Sequence, residues 1–110
     1  VRERFVSPHR KVGMLAGSGR KLNRLSICSW NVEGLSDVKV YQICRYMRTH
    51  SIKLVCIQET RKRKSDNYVT EDGYEILLSG RGDEEREWAG VGFIVAPHFR
   101  QFVSGFYPPL

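Results

Sequence analysis

Leu25-Ser26-Ile27-Cys28-Ser29-Trp30-Asn31-Val32 is the stretch on which the fold turns. Apolar and small polar side chains alternate through it, the period of a strand with one buried face. Glu33-Gly34-Leu35 breaks the alternation. Asp37 then stands as a helix cap, because its carboxylate can accept the exposed backbone N–H groups of a first turn. Val40, Ile43, Cys44 and Met47 recur at i, i+3, i+4 and i+7, which predicts a helix over residues 38–49. Arg45, Arg48 and His50 fall in its last turns, where positive charge suits the helix dipole. Leu54-Val55-Cys56-Ile57 is a nearly continuous apolar run, the pattern of a strand covered on both faces. Strand, helix, strand in this order predicts a βαβ-type unit with a right-handed crossover.

Outward from this unit, residues 74–78 and 91–96 read as two more strands. The polar segment 79–87 between them can form a hairpin loop. Gly90 and Gly92 flank the start of the last strand and Pro97 ends it. Upstream, residues 1–24 hold seven Lys/Arg against the single acid Glu3, with Pro8, Gly13, Gly17 and Gly19 and no regular period. They read as a flexible basic leader before one domain over residues 25–110. The expected fold class is α/β (α+β in some schemes).

The bulk numbers narrow the choices. A chain of 110 residues suffices for one domain, and a hydrophobic fraction of 41% is that of a globular one. No run approaches the roughly 20 apolar residues of a membrane span, and the basic N-terminus has no apolar signal-peptide core, so no membrane partner is expected. The net charge of +6 favours polyanionic partners. Arg61-Lys62-Arg63-Lys64 forms a second basic cluster, a pattern that is more often only solvated surface. Cys28, Cys44 and Cys56 are odd in number, lack CxxC spacing and lie in apolar segments. They read as reduced core thiols of an intracellular protein, not as zinc ligands. Gly17-Ser18-Gly19-Arg20-Lys21 lacks the spacing of a phosphate-binding loop.

Chemistry is expected beyond the carboxyl ends of parallel strands. The first strand delivers Asn31 to that rim, and the second delivers Gln58, Glu59 and Thr60. A carboxylate such as Glu59 suits a hard cation, which takes one or two carboxylates plus waters and phosphate oxygens. The Asn31 amide can donate to a phosphate oxygen or orient a carboxylate. Spacing alone equally allows an exposed strand-end Glu59 and an Asn31 that only caps a turn. Trp30 alternates to the opposite face, where core packing is expected.

The full strings are more specific. Ser29-Trp30-Asn31-Val32-Glu33-Gly34-Leu35 and Ile57-Gln58-Glu59-Thr60, with Gly73-Tyr74 and Ala89-Gly90-Val91-Gly92-Phe93-Ile94-Val95, resemble the endonuclease/exonuclease/phosphatase superfamily over residues 25–106. Within it they are most similar to the endonuclease domains of non-long-terminal-repeat retrotransposons and their craniofacial-development-protein-like relatives. The resemblance implies the N-terminal half of a four-layer, DNase I-like α/β-sandwich, with Mg²⁺ (or Mn²⁺) as cofactor and DNA as partner. It implies that Asn31 and Glu59 belong to the metal- and phosphate-binding site. Arg61, Lys62, Arg63 and Lys64 follow Glu59 directly in the sequence, so they are expected beside that site, where they can hold flanking phosphates. The resemblance also implies a nuclear location, in keeping with the basic leader.

The family's remaining catalytic set comprises a tyrosine, an Asp-x-Asn pair and a terminal Asp-His pair. No Asp-x-Asn occurs here, the histidines His9, His50 and His98 lie in other contexts, and Tyr107 follows the last strand too soon. The expectation is therefore a fragment of a Mg²⁺-dependent DNA endonuclease, inactive alone because the general base is missing. Two alternatives stand beside it: a non-catalytic nucleic-acid-binding remnant, and a phosphatase of the same superfamily. A lone half-sandwich is also expected to expose an apolar sheet face and to be sticky.

Overall fold

The computed structural model describes residues 10–16, 23–80 and 90–103. They form a mixed α/β fold: strand β1 (Arg10–Ala16), β2 (Asn23–Asn31), helix α1 (Asp37–His50), β3 (Leu54–Gln58), β4 (Asp66–Val69), β5 (Glu75–Ser79), β6 (Val91–Val95) and a 3-10 turn (Pro97–Phe102). The strands make one six-stranded sheet in the order β1-β2-β3-β6-β5-β4. Only β2 and β3 run parallel, joined through α1; every other pair is antiparallel.

The expected βαβ unit is present, with its helix stripe buried as the spacing predicts. Val40, Ile43, Cys44 and Met47 are all buried. They pack into one core with Cys28, Trp30, Val55, Ile57, Ile76, Leu78 and Ile94 from the sheet. Trp30 is 1% exposed and meets the Tyr46 ring edge-on at 5.2 Å, so it is a core residue as expected. The cap differs from expectation. Ser36, not Asp37, has the extended backbone of an N-cap, and its Oγ accepts the Lys39 N–H. Asp37 is the first helical residue, where its charge still favours the positive end of the dipole. Ser51 closes the helix in a left-handed conformation, its N–H donating to Met47 O.

Three further differences are tertiary in origin. Residues 10–16, expected in a flexible leader, form β1, and β2 starts at Asn23. No hydrophobic period marks β1; its partner is what makes it a strand, with Arg10 opposite Ser29 and Ala16 opposite Asn23. The rest of the leader, residues 1–9 and 17–22, and most of the expected 79–87 loop lie outside the described residues. The short β4 is exposed along its length and exists by pairing with β5. Finally, β3 is not covered equally on both faces. Val55 and Ile57 are buried under α1, whereas Leu54, Cys56 and Gln58 are half-buried. The opposite face carries Leu77 and Val95, which are buried, and half-buried Ile27, Cys56 and Phe93, so the expected apolar face is only partly open. Among the described residues no helix is long and apolar enough to cross a membrane.

Candidate functional site

The parallel pairing of β2 and β3 sets the site. Their ladder ends with Asn31 opposite Gln58. Backbone bonds continue past it: Val32 N–H donates to Gln58 O (3.0 Å), Gly34 N–H to Glu59 O (2.7 Å) and Leu35 N–H to Thr60 O (2.8 Å). The segment after β2 is thus laced to the segment after β3. Gly34 has φ +93, a conformation that glycine adopts without strain. On the other side Thr60 N–H donates to Gly90 O (3.1 Å), tying in the start of β6.

This lacing brings Asn31 and Glu59 into contact. The Asn31 amide donates from Nδ2 to Glu59 Oε2, and its Oδ1 accepts the Glu33 N–H at 3.1 Å. The amide can make both bonds in only one of its two orientations, so its partners fix it. Glu59 keeps its other oxygen toward Arg61, whose guanidinium lies 4.0 Å away, and the carboxylate side chain is 30% exposed. The backbone here is unusual. Glu59 has φ 56 and Arg61 φ 60, both left-handed for non-glycine residues. Such conformations cost on the order of 1 kcal/mol or more and persist where the surroundings over-determine them.

The supporting shell is polar and mostly satisfied. Gln58 Nε2 donates to Ser29 Oγ at 2.8 Å on the neighbouring strand. Thr60 is buried at 1% exposure, and its Oγ1 accepts the Lys62 N–H at 3.4 Å. A Cβ on Gly90 would collide with that same Oγ1. The Lys39 ammonium, on α1, donates to Val32 O (2.7 Å), Gly34 O (2.9 Å) and Glu33 O (3.2 Å). Residue spacing does not reveal this lysine. The signal available in the sequence is a cation in a first helical turn, where the dipole disfavours it.

The basic cluster is where the sequence puts it. Arg61, Lys62, Arg63 and Lys64 are all exposed and directly follow the Glu59-Thr60 rim. Its backbone is held: Gly80 N–H donates to Ser65 Oγ at 3.0 Å, and a Cβ on Gly80 would strike Arg63 O and the Lys64 carbonyl carbon. Arg61 lies over Gly34, its Cδ 3.4 Å from where a Cβ would stand.

Among the described residues no group of three or more His, Cys, Asp or Glu stands ready to hold a metal ion. Without such a cluster, the Glu59 carboxylate has the chemistry to contribute one ligand to a hard cation that completes its shell with waters and phosphate oxygens; it lacks the Cys/His set that zinc takes. The three cysteines are free thiols; Cys28 and Cys44 are buried and Cys56 is half-buried. Burial, with Asp72 nearby, pushes the Cys44 thiol up to about 12 against the opposing Arg48 charge, and burial also raises Cys56. Neither is a poised nucleophile. A separate groove of about 240 Å³ between α1 and β4 is lined by Tyr41, Cys44, Arg48 and Tyr68 and does not include Asn31 or Glu59. No family model, no curated protein and no solved structure matches the chain.

Proposed function

We propose that this chain carries the metal-side half of a phosphodiesterase site of the endonuclease/exonuclease/phosphatase kind, acting on DNA. The observation that carries the reading is the Asn31–Glu59 hydrogen bond at the shared rim of β2 and β3, set in the strings Ser29 to Leu35 and Ile57 to Thr60. The left-handed backbone at Glu59 supports it, because strain of this kind concentrates at functional sites.

In this reading Glu59 would hold Mg²⁺ (or Mn²⁺), whose chemistry is to neutralise charge on a phosphate oxygen. Asn31 orients the carboxylate by holding one of its oxygens; the other, which faces Arg61, is the one that would meet the cation. Arg61, Lys62, Arg63 and Lys64 hold flanking phosphates, which gives affinity without sequence information. A general base is not among these residues, so they bind metal and DNA without hydrolysing it on their own. The finer architecture that goes with this function is the DNase I-like sandwich, a second sheet covering the face of Leu77, Phe93 and Val95. A DNA substrate makes the nucleus the expected place of action. No observation favours the phosphatase alternative over DNA.

The test is a Mn²⁺ titration of the protein followed by nuclear magnetic resonance, with Glu59→Gln as control. Broadening centred on Asn31 and Thr60, absent in the variant, is expected. Broadening that ignores the substitution sinks the assignment. In parallel, plasmid nicking with Mg²⁺ is expected to be absent; cleavage that vanishes in Glu59→Ala would show that these residues need no further half.

A further inference from the structure

We propose that Lys39 is a positioning residue for the Asn31–Glu59 pair, a reading that rests on the site assignment above. An ammonium has three N–H donors. All three are spent on three consecutive carbonyls, Val32 O, Glu33 O and Gly34 O, at 2.7, 3.2 and 2.9 Å. Such bonds from a charged donor are stronger than neutral ones. Those carbonyls belong to the turn that leaves Asn31, and the same turn donates Glu33 N–H to Asn31 Oδ1 and Gly34 N–H to Glu59 O. Lys39 therefore grips the acceptor side of a turn whose donor side holds both site residues. Three carbonyls aimed at one point repel one another, and Glu33 and Gly34 both have positive φ (50 and 93), so this turn needs a cation at its focus to keep its shape. Helix α1 supplies that cation from its first turn, against its own dipole.

Geometry and charge act with opposite signs here. If Lys39 acted only through its field, removing a positive charge near a cation site would tighten cation binding. If it acts by holding the turn, removing it weakens binding.

The experiment uses Lys39→Met, which keeps the aliphatic stem and suits a helix. Amide hydrogen exchange without metal is read first. Loss of the charge-assisted bonds is expected to speed exchange at Gly34 and Leu35 by at least about tenfold, with the amides of β5 and β6 unchanged. Mn²⁺ affinity is read second, and at least about a threefold weakening is expected, the size of a coupling between contacting groups. Unchanged exchange at Gly34 and Leu35 overturns the inference. Faster exchange with equal or tighter Mn²⁺ binding also overturns it, leaving Lys39 a structural clamp alone. A wild-type protein with no Glu59-dependent Mn²⁺ binding overturns the site assignment, and the positioning claim falls with it while the metal-free exchange result still reports on the clamp. Should Lys39→Met fail to fold, Lys39→Arg carries the same test at constant charge. Its planar fork cannot converge three donors on one point, so the same two losses are expected at smaller size.

Discussion

Asn31 Nδ2 donates to Glu59 Oε2, joining the last residue of β2 to the first residue beyond its parallel neighbour β3. Twenty-eight positions of sequence separate them. The bond exists because backbone hydrogen bonds continue to join the two following segments past the end of the ladder, with a one-residue slip in register after Val32. A carboxylate held this way, on a left-handed backbone, is arranged at a cost to the fold, and that relation is open to measurement.

Glu59→Gly is expected to abolish Mn²⁺ binding while changing stability by less than about 1 kcal/mol. Glycine relieves the left-handed strain at φ 56 but raises the entropy of the unfolded chain, and the two effects oppose each other. Denaturant unfolding beside the Mn²⁺ titration checks this. A loss above about 2 kcal/mol would make Glu59 a structural residue first.

Gly90→Ala is expected to destabilise the protein by about 2–3 kcal/mol, since it adds strain at φ +117 and forces Cβ into Thr60 Oγ1. Because Thr60 N–H bonds Gly90 O, the Glu59-Thr60 rim should loosen as well. Thermal unfolding reads the first effect, and exchange at the Thr60 amide reads the second.

Lys62→Gln with Arg63→Gln is expected to leave stability within about 0.5 kcal/mol, as both side chains are exposed. Binding to random duplex DNA should weaken uniformly, with the salt slope falling by about 2, one unit for each phosphate no longer neutralised. A salt slope equal to that of the wild type would remove this cluster from the proposed DNA interface. Gly80→Ala should weaken binding in the same assay, by pushing on the Arg63 and Lys64 backbone.

Stability is expected to fall on the alkaline side. The Cys44 thiol is raised from 9.0 to about 12 in the folded protein, chiefly by burial. Below pH 9 both folded and unfolded chains keep the proton, and the contribution is fully present. Between pH 9 and about 12 the unfolded chain releases the proton and the folded one retains it, so stability declines. Tyr68 and Tyr74, also raised by burial, act in the same direction above their ordinary value of 10.0. Cys44→Ala should flatten the early part of the decline, seen as a smaller drop in melting temperature from pH 9 to pH 10. An unchanged drop would assign the decline to the other groups raised by burial, Cys56 and the two tyrosines.

Much of the fold could be read from periodicity. The β2–α1–β3 unit, the buried stripe of Val40, Ile43, Cys44 and Met47, and the two later strands each carry their own pattern, because burial on one face imposes a period on the chain. Strands β1 and β4 carry none. They sit at the two edges of the sheet, where a backbone needs only one partner, so pairing alone determines them.

The site divides the same way. Residue identity put Asn31, Glu59 and the 61–64 cluster on one rim, since strand ends and their polar residues are properties of the local sequence. Four things needed the tertiary structure: the direct Asn31–Glu59 bond, the left-handed turn at Glu59, the close approach of Gly90 to Thr60, and the three-carbonyl grip of Lys39. Each depends on where a second, separate segment comes to rest. A one-dimensional pattern records which face a side chain must bury, but not which distant polar atom will stand opposite it, because hydrogen bonds are directional and short while burial is neither.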